Sequence, residues 1–270
     1  IVKRGITRIL SPGMVFDADT LDASEKNFIC AWDDATVSFL DGTTGEAFYY
    51  RYRTVSELLR CLHLLVPREL ILPTGTEVPP SLVAELRPLN LHWTYIDVLS
   101  PQAPVELAGD VCTQPTSATL LLSYAQRMQG DDVLKLVAAF VERDMQGYLA
   151  LSPVVVRHLE LLCNYRGEKK GSLFTAIDRT KTPQGARLLK TWMQFPLAQP
   201  QLIENRLDRV TYWCEHADPL RQVRQTLAHL GDLERRLGKV AQPSCGPRNL
   251  RMLADSFNRV VTVSWMNGFS

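Results

Sequence analysis

TKTPQGARLLKTWMQFPL, residues 180–197, holds a helix start, an amphipathic helix and a helix stop in one short stretch. Thr182 can accept from orphan backbone N–H groups as an N-cap, and Pro183 at the first helical position has no N–H to leave unpaired. Leu188, Leu189, Trp192 and Met193 recur three to four residues apart, which predicts one packed apolar face. Pro196 ends the helix, because it pushes Phe195 out of helical dihedrals. Gly185 in the first turn costs about 1 kcal/mol against Ala, so a close backbone approach is expected there. No catalytic group sits on this helix, and its firm ends therefore ask for another explanation.

Outward from this stretch the chain is helical. Periodicity predicts helices near 117–129, 131–146, 183–194, 199–215, 218–229, 231–240 and 246–262, broken by Gly130, the loop NYRGEKKGS at 164–172, and Pro196, Pro200 and Pro243. This half reads as an all-α domain, an incomplete one, since SWMNGFS follows an apolar helix without an evident ending. Residues 99–118, with Pro101, Pro104 and Pro115, read as a linker.

Before the linker the pattern is mixed. KRGITRIL (3–10), NFICAWDD (27–34), TVSFLD (36–41) and GEAFYYRY (45–52) are candidate strands. A helix at 54–65, a strand at 69–72, a helix at 79–87 and a strand at 92–98 follow. Consecutive strands and then helix–strand–helix–strand is the order of a ribonuclease H-like sheet. The expected division is an α/β domain over residues 1–112 and an all-α domain over 113–270.

Composition sets the outer bounds. The 270 residues are 46% hydrophobic and 22% charged, with a formal net charge of +1. That balance hides two halves: residues 1–112 carry 9 Lys+Arg against 15 Asp+Glu, and the remaining 21 and 14 fall in 113–270. Opposite signs suggest different partners for the halves, or attraction between them. No apolar run reaches the ~20 residues of a membrane span. IVKRGITRIL has charge where a signal peptide needs an apolar stretch, so secretion is not expected. Six cysteines, at 30, 61, 112, 163, 214 and 245, form no CxxC pair and no ligand-spaced set with histidine. They predict small buried thiols in a reducing compartment.

Catalytic patterns are scarce in this sequence. A ribonuclease H-like nuclease needs clustered carboxylates holding two metal ions about 4 Å apart. Asp33, Asp34, Asp41, Glu46 and Asp97 are the acids on candidate strands and turns, but none lies inside KRGITRIL, where one is needed. GEKKGS (167–172) lacks the spacing of a phosphate loop, and no nucleophile elbow, zinc-protease or dinucleotide motif occurs. No catalytic, metal or ATP-binding residue is therefore assigned. Basic clusters remain: Arg166, Lys169 and Lys170 in one loop, Arg235, Arg236 and Lys239 on one helix, and Lys181, Arg187 and Lys190 around the opening helix. The loop trio forms candidate DNA-backbone contacts. The plainer alternative is a solvated face, or pairing with Glu168, Asp178 and Glu234.

Taken together, these stretches resemble a known family. TAIDRTKTPQGARLLKTWMQFPL (175–197), IENRLDRV (203–210), GDLERRLGKV (231–240) and RHLELLCNYRGEKKGSLFTAID (157–178) resemble the core domain of MutS-type DNA mismatch-repair proteins. RILSPGMVFD (8–17), FLDGTTGEAF (39–48) and LVPRELIL (65–72) resemble that family's connector domain, in the same order. Departures are Ser11-Pro12-Gly13-Met14 for Thr-Pro-Gly-Thr, Ser152, Val155 and His158 for Asp, Thr and Asn, Gln184 for Met, and Lys239 for Arg. These are scaffold positions.

The resemblance implies a connector plus the first part of a core, without the mismatch-reading, clamp or ATPase domains. It implies a relay between mismatch binding, nucleotide state and a MutL-type partner, in a protein that binds mismatched double-stranded DNA, pairs with a second MutS subunit and uses ATP and Mg. A cytoplasmic location in bacteria, or another intracellular DNA compartment, goes with it. Thr182, Pro183 and Gly185 would then be the structural start of a stiff relay helix. The alternatives are a stand-alone connector-like scaffold that docks a protein partner and the nuclease already weighed.

Overall fold

A computed structural model describes residues 11–13, 21–97, 114–137, 139–240 and 245–267. Packing divides the chain into two units. One comprises residues 1–21, 26–144 and 238–245; the other comprises 22–25, 145–237 and 246–270. The candidate strand at 3–10 and the division at 112/113 lie outside the described residues.

In the first unit, β1 (Phe28–Trp32), β2 (Thr36–Asp41) and β3 (Glu46–Arg51) form an antiparallel meander. Helix α1 (Val55–Leu65), capped by Thr54, leads to β4 (Glu69–Pro73). Helix α2 (Pro80–Leu86) and a 3-10 turn then lead to β5 (His92–Ile96). β4 lies parallel to β1 and β5 parallel to β4. Helix α3 (Thr116–Gln129) and the short α4 (Asp132–Leu136) follow, then β6 (Val141–Glu142), which pairs parallel to β3. The sheet order is β5-β4-β1-β2-β3-β6.

Strand alternation sorts the sheet residues onto two faces. Cys30, Phe39 and Phe48 sit across from one another on one face, where Phe28, Phe39, Phe48 and Tyr50 pack edge-on or stacked at 5.4–6.3 Å between ring centroids. Ile29, Leu40 and Ala47 line the other face, beneath Ala118, Leu121, Leu122 and Ala125 of α3. Sequence periodicity places α3 in the all-α half; packing places it and α4 on the sheet of the first unit, which runs to Asp144.

The expected helix 131–146 ends instead at Leu136. Val141 and Glu142 join the sheet beside Phe48 and Tyr49, and Arg143 lies 3.7 Å over the Phe48 ring while it pairs with Glu46 at 2.8 Å. These interactions with β3 displace the local helical preference. Cys30 and Cys61 are buried, and burial pushes the Cys61 thiol up to about 12. Cys163 and Cys214, expected to be buried, are exposed.

A fully buried carboxylate, Glu69, ties this unit together. Its Oε2 accepts from Ser11 Oγ at 2.7 Å and the Gly13 amide at 3.0 Å. Its Oε1 accepts from Thr94 Oγ1 at 2.6 Å and the Tyr124 hydroxyl at 2.7 Å. Burial, reinforced by Glu69, pushes the Tyr124 hydroxyl up to about 12, so it stays a donor at neutral pH. A Cβ on Gly13 would lie 2.1 Å from Ile29 Cγ2 and 2.9 Å from Glu69 Oε2, so no side chain fits there. Glu69→Ala leaves four donors without their acceptor and is expected to destabilise the α/β unit by roughly 3 kcal/mol or more. Hydrogen exchange of the β1 and β4 amides measures it; unchanged protection contradicts the assignment.

Candidate functional site

The second unit contains α5 (Pro153–His158), α6 (Leu173–Ile177), α7 (Pro183–Gln194), α8 (Pro200–Glu215), α9 (Ala217–Ala228), α10 (Leu233–Val240) and α11 (Pro247–Asn267). The end of α10, from Gly238, groups with the first unit. α5 and α6 were not expected. Ser152 and Ser172 cap them through the Val155 and Thr175 amides, and the Ser152-Pro153 pair repeats the signal readable at Thr182-Pro183.

α7 starts as its sequence dictates. Thr182 has extended dihedrals, and the Gly185 amide donates to its Oγ1 at 3.1 Å. A Cβ on Gly185 would stand 3.0 Å from that same oxygen, so the glycine makes room for the cap rather than for another element. At the other end, Phe195 is buried and its amide returns to Thr191. Gly147 and Leu149 bind the chain there through Ala198 and Pro196, at 3.0 and 2.7 Å.

The predicted apolar face of α7 is covered only in part: Leu189 and Met193 are half-buried, while Leu188 and Trp192 are exposed. Leu188 is 50% exposed and Trp192 40%, with Arg206 lying 3.7 Å over the indole ring. The buried residues of α7 are Ala186 and Arg187. The Arg187 side chain is 2% exposed. Its Nη1 donates to Asp232 Oδ2 at 2.6 Å and to the Ala23 carbonyl at 2.8 Å. Its Nη2 donates to Asp232 Oδ1 at 2.8 Å and Glu234 Oε2 at 2.5 Å.

Arg235 on α10 donates to the carbonyls of Asp22 and Glu25 at 3.1 and 2.5 Å. Lys169 pairs with Asp22 and with Glu25, and Lys190 reaches Ser24. Four side chains thus hold the segment Asp22–Glu25 by its backbone and its acids. Burial opposes ionisation of Asp232, but Arg187 outweighs it and holds the carboxyl below its ordinary range. Asp22 is shifted the same way, further, with Lys169 and Ser24 overcoming its burial.

The sequence-predicted contacts fare unevenly. Lys169 is occupied by Asp22 and Glu25 rather than by Glu168. Lys170 is exposed, and Arg166 is exposed beside Tyr165, whose hydroxyl it contacts at 2.8 Å. Asn164 organises this loop, accepting from the Arg166 and Glu168 amides and donating to the Lys170 carbonyl. Arg187 and Arg235 are internal, and Arg236 binds Ser256 and the Met252 carbonyl. No periodicity rule marks an arginine as core. The acids Asp232 and Glu234, seen close in sequence to Arg235, were the available signal.

Of the candidate nuclease carboxylates, Asp33, Asp41 and Glu46 serve the structure, while Asp34 and Asp97 are exposed. Asp41 is fully buried and accepts from the Asn27 and Thr43 amides at 2.9 Å and from Thr43 Oγ1 at 2.6 Å. Asp33 caps the β1–β2 turn through Ala35 and Thr36 and accepts from the Ser117 amide. Glu46 pairs with Lys26 and Arg143. Among the described residues, no group of three or more His, Cys, Asp or Glu is placed to hold a metal ion. Nor is any helix long and apolar enough to cross a membrane.

Two outcomes follow from α7. Gly185→Val is expected to cost more than ~1 kcal/mol by forcing the Thr182 hydroxyl away, and equal melting temperatures contradict this. Arg187→Gln is expected to destabilise the helical unit by roughly 3–5 kcal/mol, because Asp232 loses its partner in a buried site. Asp22 and Asp232 titrate lower in the folded chain than in the unfolded one. Their contribution is therefore full above about pH 4 and fades as the pH falls toward about 2. Hydrogen exchange of α7 amides across that range should show a steeper loss in wild type than in Arg187→Gln; parallel curves contradict the linkage.

Comparison with known proteins bears on the whole chain. The family model of MutS domain III matches residues 155–266. The chain is 29% identical over 268 residues to the DNA mismatch repair protein MutS of Staphylococcus carnosus, covering 97% of this chain and 30% of that protein. It is 29% identical over 273 residues to MutS of Methanothrix thermoacetophila, covering 98% of this chain and 31% of that protein. Against MutS of Anaplasma phagocytophilum it is 27% identical over 283 residues, covering 98% and 34%. The chain spans about a third of the length of the curated relatives it matches. The buried arginine on α7, its acids on α10 and the capped start of α7 all fall inside the matched domain III segment, and along nearly all of its length the chain is similar to MutS-type DNA mismatch-repair proteins.

Proposed function

We propose that this chain is the connector and the first part of the core of a MutS protein, and that it relays state between mismatch binding, ATP and a MutL-type partner. The observation that carries the reading is the similarity to MutS proteins along nearly all of the chain. The full protein would bind mismatched double-stranded DNA, pair with a second MutS subunit and use ATP with Mg. A ribonuclease H-like connector suits the strand order, in which β1–β3 meander and β4 and β5 add parallel to β1. Three of the carboxylates weighed for cutting, Asp33, Asp41 and Glu46, serve as turn caps and ion pairs.

A relay needs elements that move as rigid bodies, and capped helices locked by buried ion pairs supply them. Arg166 and Lys170 are exposed cations able to meet DNA phosphates, with Lys169 committed to Asp22 and Glu25. Such contacts give weak, mismatch-blind binding that falls as salt rises. The test uses the MutS protein that contains this chain. Arg187→Gln is expected to keep basal ATP hydrolysis and heteroduplex binding but to lose most of the mismatch-dependent change in nucleotide turnover. Unaltered coupling, with the destabilisation confirmed, overturns the relay.

A further inference from the structure

We propose that the cleft along α9 is a docking groove for an acidic peptide segment anchored by an apolar side chain. The cleft belongs to the helical unit and has a volume of about 370 Å³, within the roughly 300–1,000 Å³ typical of ligand sites. Its lining is apolar at Ala217, Leu220 and Ala228, which form a shallow, open floor, and polar at Lys181, Arg221, Arg224 and Gln225, which form its rim. Ala217, Leu220, Arg221, Arg224 and Ala228 follow the helical repeat, so they share one side of α9. Val223, off that stripe, is the residue that α9 buries. That packing leaves the cationic stripe facing outward.

The three cations are only lightly engaged. Arg224 Nη2 donates to the Arg179 carbonyl at 3.2 Å, which holds the guanidinium beside the chain that enters α7. Arg221 pairs with Asp218 at 3.2 Å, with both side chains mostly in water. Exposed pairs of this kind are worth little, so an incoming carboxylate can replace Asp218. Lys181 is exposed. Among the described residues, no carboxylate lines the cleft.

Charge complementarity therefore selects an anion, and the floor selects its body. A nucleic-acid backbone or inorganic phosphate presents hydrated oxygens, which gain nothing from Ala217, Leu220 and Ala228. A peptide with one large apolar residue between acids covers the floor and meets the rim with carboxylates, two of them suited to guanidinium forks. Nothing in this inference depends on the relay reading.

The experiment is fluorescence anisotropy of the full chain with a fluorescein-labelled Glu-Glu-Phe-Glu-Glu peptide. Saturable binding is expected, weakened about tenfold when the acids become Gln or the Phe becomes Ser, since charge and anchor act together. Arg221→Glu is expected to weaken it similarly without moving the melting temperature, because its partner Asp218 is exposed. Lys181→Glu serves as a second variant that touches no described backbone group. Absence of saturable binding overturns the proposal. So does binding insensitive to the Phe, or displaced equally well by inorganic phosphate or a short DNA oligonucleotide, each of which would mark a general cationic surface.

Discussion

The helical unit is organised by one guanidinium taken out of water. A buried cation is tolerable only when acceptors surround it. Arg187 has them from three directions: a carboxylate fork at Asp232, a second acid at Glu234, and a backbone carbonyl at Ala23. These acceptors come from separate parts of the chain, so the charge is satisfied only when all of them are in place. Asp232 is largely shielded from water, which strengthens its attraction to Arg187, whereas Glu234 is half exposed and adds less. Arg235 extends the same logic by gripping the carbonyls of Asp22 and Glu25.

The α/β unit uses the opposite charge in the same way. Glu69 gathers donors from the Ser11–Gly13 segment, from β5 and from α3. Only a helix lying over the sheet can bring Tyr124 to it, which explains why α3 packs with the strands. Each unit therefore has a polar lock inside an apolar shell. Apolar burial supplies the bulk of the stabilisation, while the lock selects one arrangement among several of similar area.

The elements of the fold were largely legible. Thr182-Pro183 and Pro196 marked α7 at both ends, and β1 to β5 were readable from β-branched and aromatic runs between turn residues. The same cap chemistry at Ser152-Pro153 marked α5, though short helices are easily passed over as loops. β6 was not legible, because two residues carry no period and their conformation is set by β3 beside them. The site was legible only in part. Arg166 and Lys170 are as exposed as loop lysines and arginines should be, whereas Lys169 is drawn to Asp22 and Glu25, more than a hundred residues away in sequence.

By itself the sequence determined where α7 and the strands β1 to β5 lie, because capping, proline restriction and side-chain periodicity act within a few residues. It also carried the resemblance to MutS-type proteins, through stretches such as TAIDRTKTPQGARLLKTWMQFPL. Which face of α7 is buried was decided only by tertiary structure. α7 exposes Leu188 and Trp192 and buries Arg187, since the free energy of placing a charge depends on acceptors that sit far along the chain and meet it only in the fold. Hydrophobic periodicity has no knowledge of those acceptors.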